Sequence, residues 1–356
     1  MSRRGVTFVT AAGIALLLAV LAAVLPVPYV ILVPGPPTDT LGAVPNSTTP
    51  VVSVTGAQSY TDSGHLYLTT VGVDPGSCDA HPTLFQALRA WFDSHDAVQP
   101  HQAICPPDTS SKAVAQQNAS EMTQSQTDAV TAALLYLGYK PVSQQLVLAD
   151  VDSSAPSSSV LQPGDVIVAI NGKVVATSDQ LRAFIHATPP NGAISVTINR
   201  NGTRSTVDTH VTQDSLLGVT LDRHATFHGV DVHIGIDPNF VGGPSAGLMF
   251  TLGIIDKLTP GGLTGGRTIA GTGTIDGFGA VGPIGGIQQK IAAVTGHGPS
   301  GSPHVNASYF LAPASECADA KAAAPHSLVV IKVDTLATAV AALKSILAGR
   351  TDYPLC

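Results

Sequence analysis

Apolar residues run almost without interruption from Gly5 to Gly35, and no charged side chain follows Arg3 and Arg4 until Asp39. Such a run exceeds the ~20 residues needed to cross a bilayer as a helix. Two arginines precede it and no cationic residue follows soon, which predicts a cytoplasmic N-terminus with the bulk of the chain outside. A cleaved signal peptide is the competing reading, but it would carry a shorter apolar region and a small-x-small cleavage site. Here the run continues through Pro26 and Pro28 to Val33. The pattern therefore predicts a retained single-span anchor over residues 1–33. Residues 34–50, rich in Pro, Thr and Gly, read as a linker leaving the membrane.

Beyond the linker the periodicities alternate. Apolar residues recur every second position in "VVSVT" and "HLYLTTVGV", predicting strands. A helix opens at Pro82 and places Leu84, Leu88, Trp91 and Phe92 on one face. Polar residues from Asp93 to Ser111 read as loop. "EMTQSQTDAVTAALLYLGY" has helical spacing, with Met122, Ala129, Ala133 and Leu137 near one stripe and Gly138 as its stop. Strands are expected at Asp165–Ile170, Ile194–Arg200 and Ser205–Val211. Asn171-Gly172 and Asn201-Gly202 supply hairpin-type turns. A helix from Ser178 to His186 lies between, with Leu181, Phe184 and Ile185 apolar.

Charge and composition exclude some functions. Of the 356 residues only 12% are charged, the net charge is −7, and no basic run of five or more occurs. A nucleic-acid partner is not expected. No G-x-x-x-x-G-K-[ST] loop is present, so no built-in ATPase and no cofactor is expected. His224, His228 and His233 lie across strand and turn without an H-E-x-x-H or an acidic partner at ligand spacing, so no metal is expected either. The four cysteines Cys78, Cys105, Cys317 and Cys356 form no C-x-x-C. They are disulfide candidates if the compartment is oxidising. Pairing Cys78 with Cys105 and Cys317 with Cys356 closes the shortest loops, though four cysteines allow three pairings.

Two segments carry candidate chemistry. "VGGPSAGLMF", Val241–Phe250, sets Ser245 at the head of an apolar helix, directly after Pro244. A serine there is ordinary capping chemistry, or it is a nucleophile whose neighbours Gly243 and Gly247 let a substrate backbone approach. Backbone N–H groups of the first turn would face a developing oxyanion. "GTGTIDGFGAVGPIGGIQQKIAAV", Gly271–Val294, places Lys290 in the first turn of a second helix among Ile284, Ile287, Ile291 and Val294. The helix dipole and burial both disfavour an ammonium there. A neutral, desolvated lysine can take a proton from a serine hydroxyl.

The segment "LQPGDVIVAINGKVV", the "DQLRAFI" helix and "VTINRNG" together resemble a PDZ domain of the bacterial protease-associated kind. The resemblance implies peptide binding by strand addition beside that helix. Carried over by position, it places the receiving strand at Gln145–Ala149, with Leu146, Val147 and Leu148 facing Leu181 and Ile185. "DVHIGIDPNFVGGPSAG" followed by "GTGTIDGFGAVGPIGGIQQK" resembles the proteolytic domain of Lon-type proteases. Lys290 follows Ser245 by 45 residues, close to that family's spacing. The resemblance implies Ser245 as nucleophile, Lys290 as general base and Thr272 as the residue that holds the lysine. Gly243 and Pro244 would support the nucleophile. Gly242 and Gln289 depart from the pattern, which usually has acidic residues there.

These readings combine into an α+β architecture: an anchor over 1–33, a linker over 34–50, and a Lon-like domain formed by 51–138 and 214–349. A PDZ domain at 139–213 interrupts it, and a tail over 350–356 ends the chain. The implied function is a membrane-anchored, ATP-independent serine endopeptidase acting on loosely folded extracytoplasmic or membrane proteins. Its expected partners are protein or peptide substrates, the membrane and, by resemblance, further copies of itself. Two alternatives stand beside it. One is a membrane-tethered PDZ scaffold with a vestigial protease fold. The other is an α/β-hydrolase in which "GPSAG" is a nucleophile elbow served by Asp319 and His326.

Overall fold

A computed structural model describes residues 3–61, 63–107, 109–175, 177–303 and 305–356. Met1 and Ser2, at the start of the expected anchor, lie outside them. The first part of the chain forms α1 (Arg3–Val24), β1 (Tyr29–Pro34), β2 (Thr38–Asp39), β3 (Val52–Thr55), β4 (His65–Leu68), β5 (Val71–Asp74), α2 (Leu84–Phe92), β6 (Ala97–Pro100) and α3 (Ser111–Tyr136). The middle forms β7 (Pro141–Val151), β8 (Val166–Ile170), β9 (Lys173–Val174), α4 (Ser178–His186), β10 (Ala193–Arg200), β11 (Thr203–His210), β12 (Val219–Phe227) and β13 (Asp231–Ile234). The last part forms α5 (Gly247–Leu258), β14 (Thr268–Gly271), β15 (Thr274–Ile275), β16 (Val281–Gly282), α6 (Ile287–Val294), β17 (Tyr309–Pro313), α7 (Cys317–Ala323), β18 (Val329–Val333) and α8 (Leu336–Leu347).

The apolar run at the N-terminus is not one element. Pro26 and Pro28 follow the end of α1, and the residues after them form β1, whose Val30, Ile31 and Leu32 are buried. β1 lies between β5 and β6 in an antiparallel sheet. Proline cannot donate the backbone hydrogen bond that a continuing helix needs, so the last part of the run joins the folded body. Among the described residues no helix is long and apolar enough to cross a membrane. This overturns the expected transmembrane helix in the fold class. The membrane partner, the single-pass localisation, the membrane-anchored peptidase and the membrane-tethered scaffold fall with it.

The stretch 34–50 is likewise no free tether. β2 pairs with β4, and both the backbone N–H and the hydroxyl of Thr40 donate to the carbonyl of Leu66, each at 2.9 Å. β4, β14, β17 and β18 run parallel, so residues 65–68 share a sheet with strands that begin two hundred residues later. Within the chain between them, residues 141–227 fold into a separate antiparallel sheet of order β11-β10-β8-β7-β12, with β9 on β8. That sheet includes β12, which pairs with β7.

Helix α5 is the hub of the larger body. Leu248, Met249, Phe250, Leu252 and Ile254 are all fully buried. A helix apolar on every side belongs inside a core, and α5 packs against α3 and against β3, β4 and β15. Gly253 is required there, because a Cβ would lie 2.8 Å from the Thr40 hydroxyl. Two disulfides close local loops, Cys78–Cys105 and Cys317–Cys356. The second ties α7 to the C-terminal residue, whose tail pairs with β18 at Ile331↔Leu355.

Candidate functional site

Ser245 stands just ahead of α5 and does not cap it. The N-cap position is Ala246, with no side-chain cap hydrogen bond. The turn that carries the serine is held from α3 instead. Gly243 N–H donates to the Asn118 carbonyl at 2.9 Å, and the Ser125 hydroxyl donates to the Pro244 carbonyl at 3.0 Å. Gly243 has φ 80°, a conformation that favours glycine, and Pro244 restricts the next step of the turn. Ser245 itself is only partly buried.

Lys290 reaches the same place from α6, a helix opened by Gly286 in the left-handed conformation. The lysine is 2% exposed, and its Nζ donates to Thr272 Oγ1 at 3.0 Å. Thr272 is fully buried, and its own hydroxyl donates to the Ser245 carbonyl at 3.0 Å. Gly273 N–H reinforces that grip on the Ser245 carbonyl at 2.9 Å. Burial pushes the Lys290 pKa down to about 7, against a partial opposing effect from the Glu316 carboxylate. One Glu316 oxygen is buried without a hydrogen-bond partner, while the other accepts from Ile284 N–H at 3.4 Å.

The three residues singled out in the sequence are thus adjacent, but not in the expected pairing. Among the described residues no hydrogen bond joins Ser245 Oγ to Lys290 Nζ, so a preformed Ser–Lys dyad is absent and Thr272 stands between them. The expected oxyanion donors are also partly engaged. Gly247 N–H bonds the Pro244 carbonyl and Leu248 N–H bonds the Gly273 carbonyl. Asp319, offered for a hydrolase triad, lies in the first turn of α7.

A second site lies on the PDZ-like unit, and here the strand assignment from sequence is corrected. Leu146, Val147 and Leu148 are buried in β7, which pairs with β12 on one side and β8 on the other. A strand hydrogen-bonded on both sides cannot receive a peptide. The sheet edges are β11 and β12, and a cavity of about 580 Å³ lies between the start of β12 and α4. Leu181 and Ile185 line it from α4, facing Leu217, Val219 and Leu221. Gly218, with φ 71°, makes the bend into β12, where a Cβ would lie 2.2 Å from Ala155 Cβ. The signal was present as "SLLGV", an apolar pair and a glycine before a strand, but it falls after the expected domain boundary.

A third grouping was invisible in the sequence. Asp128 from α3 meets Asp222 and His224 from β12, with ligand atoms within 4.8 Å of one another, a spacing that could hold a metal ion. His224 Nε2 lies 3.2 Å from Asp128 Oδ1, and the Gln124 side-chain amide touches the imidazole. Asp222 Oδ1 already accepts N–H bonds from Arg223 and Gly277, at 2.6 and 2.7 Å. Burial foremost, and then the Asp222 charge, pushes Asp128 up to about 7. Burial alone would lower His224, but the two carboxylates more than offset it and its pKa is raised. The group works as a hydrogen-bonded seam between α3 and β12.

The family model for the PDZ domain matches residues 127–211. Among solved structures, the PDZ domain of the SdrC-like protein of Listeria monocytogenes is 21% identical, with 21% of this chain and 85% of that one covered at a TM-score of 0.20. The corresponding PDZ domain from Listeria innocua is 15% identical, with 22% and 92% covered at a TM-score of 0.21. A structure from Geobacillus thermodenitrificans is 22% identical, with 19% and 78% covered at a TM-score of 0.18. No curated protein matches the chain. The sheet of β7, β8, β10, β11 and β12 with α4, together with the family match, establishes that this chain contains a PDZ-like domain.

Proposed function

We propose that the protein is a serine-type peptidase whose PDZ-like groove captures extended peptide and whose Ser245 attacks the acyl carbon. The observation that carries this reading is the buried amine of Lys290 held on Thr272, which is in turn tied to Ser245. A lysine so enclosed destabilises the fold at neutral pH unless it is neutral, and a neutral amine keeps a lone pair free to accept a proton. Ser245, whose backbone carbonyl Thr272 holds, has no capping role. In the proposed reaction the serine hydroxyl turns toward the amine and gives up its proton as Oγ bonds the carbonyl carbon. The protonated amine then delivers that proton to the leaving nitrogen. Thr272 orients the amine throughout. Resemblance to Lon-type proteolytic domains supports the same assignment of roles.

The test is hydrolysis of an unstructured fluorogenic peptide by the full chain, with Ser245→Ala and Lys290→Met as comparisons. Loss of turnover in both variants supports the assignment. Turnover retained by Ser245→Ala rejects it, and the chain is then better described as a peptide-binding protein without hydrolytic chemistry.

A further inference from the structure

The PDZ-like groove is open along only a short length of β12. Val219, Thr220 and Leu221 line the cavity, but the next two residues of the strand are covered by a turn from the other body. Gly277 N–H donates to Asp222 Oδ1 at 2.7 Å, and the Arg223 guanidinium donates twice to the Gly277 carbonyl, at 2.9 and 3.0 Å. The same guanidinium lies over the Phe278 ring, 4.7 Å from its centre. The approach is close enough that a Cβ on residue 277 would sit 1.8 Å from the Arg223 carbonyl oxygen. Asp276, Phe278 and Ala280 themselves form part of the groove wall. A strand rises about 3.3 Å per residue. A ligand longer than about four residues, laid on β12 from Gly218, therefore runs into this turn.

The turn is directly continuous with the serine site. Asp276 Oδ1 accepts from Phe278 and Ala280 N–H groups at 2.9 and 2.8 Å, so residues 276–280 form one hydrogen-bonded turn. Immediately before them Ile275 is buried, and a Cβ on Gly247, two residues after the serine, would sit 2.9 Å from its side chain. Before that come Gly273 and Thr272, both bonded to the Ser245 carbonyl. Residues 272–280 thus run from the hydroxyl that receives Lys290 to a wall of the groove.

Building on the reading of Ser245 as nucleophile, we propose that the 276–280 turn is an autoinhibitory latch. Clamped by Asp222 and Arg223, it holds Thr272 against the Ser245 carbonyl and keeps the amine off the serine hydroxyl. A peptide in the groove displaces the turn, releases the Ser245 carbonyl from Thr272 and lets the serine hydroxyl reach the amine that Thr272 still orients. A contiguous element with two positions, each favoured at one end by different contacts, is what such coupling requires.

The latch can be sprung without knowing the ligand. Gly277→Ala forces the turn away from β12, and Arg223→Met removes both guanidinium bonds while keeping an apolar stem of similar length. The full-length proteins are treated with a fluorophosphonate probe, and the adduct is located by mass spectrometry. Hydrogen exchange of residues 272–280 reports whether the turn has opened. Both variants are expected to label Ser245 at least about fivefold faster than wild type, the low end of ordinary coupling energies. Opening of the turn with an unchanged or slower rate on Ser245 overturns the latch and leaves the nucleophile assignment standing. Failure of wild type and both variants to label Ser245 at any pH overturns the nucleophile assignment, and the latch with it.

Discussion

Lys290 Nζ lies 3.0 Å from Thr272 Oγ1, and the same oxygen is the donor that grips the Ser245 carbonyl at 3.0 Å. One buried hydroxyl therefore receives the amine and anchors the residue proposed to react with it. Thr272→Val keeps the shape and removes both bonds. The proposed reaction then loses its orienting contact, and kcat/KM should fall about a hundredfold, within the range of general-base contributions. Unchanged kcat/KM would show that the threonine has no part in positioning.

The Lys290 pKa is lowered by burial from 10.5 to about 7. The unfolded chain then binds more protons than the native one between those values. Stability contributed by this group is therefore fully present above about 10.5 and lost as pH falls through about 7. Chemical denaturation of wild type between pH 7 and 10 should show stability rising with pH, and Lys290→Met should flatten that slope. The rate limb for peptide hydrolysis should titrate over the same range near 7, because the neutral amine is the active form.

Glu316 opposes that shift through its charge, and one of its oxygens is buried without a partner. Glu316→Gln removes the charge and keeps the shape. The rate limb assigned to Lys290 should then move to lower pH, with the plateau rate little changed. A limb that stays in place would show that the carboxylate does not act on the amine.

At the α3–β12 seam the sign is opposite. Asp128 is raised from 3.8 to about 7, so the native state holds its proton where the unfolded chain has released it. Its stabilising contribution is present below about 3.8 and lost as pH rises through about 7. His224 is raised as well and acts in the same sense. Asp128→Asn, a permanent mimic of the neutral acid, should remove this fall in stability between pH 4 and 7. Urea titrations at several pH values measure it.

The Cys317–Cys356 bridge spans 39 residues and ties the last residue to α7. In the chain-entropy account, such a loop is worth about 2–4 kcal/mol. Replacing both cysteines by alanine should lower stability by that order and free Leu355 from Ile331, visible as faster hydrogen exchange along β18. Equal stability with and without the bridge would place the constraint elsewhere.

Local patterns in the chain were sufficient for several elements. Asn171-Gly172 and Asn201-Gly202 mark their turns because few other residues accept φ near the values seen, 49° and 51° at the two asparagines. The uniformly apolar run after Ser245 announces a buried helix, since no amphipathic surface helix carries apolar residues on all sides. Leu181 and Ile185 belong to the groove because their spacing places them on one face of α4. These features depend on a residue and its near neighbours.

What needed the folded chain are relationships between residues far apart in sequence. Local alternation names β7 as a strand but cannot say that both its edges are taken, because β12 arrives seventy residues later. The N-terminal apolar run looks like one element until β5 and β6 are present to receive residues 29–34 as a strand. The same holds for the amine of Lys290. Its chemical type is written in the chain, but its bond to Thr272, its dryness and the latch beside it exist only once α6, β14 and the 276–280 turn are packed together. Hydrogen bonds and burial act over a few ångströms, whereas the sequence reports proximity only along the backbone, and folding alone converts one into the other.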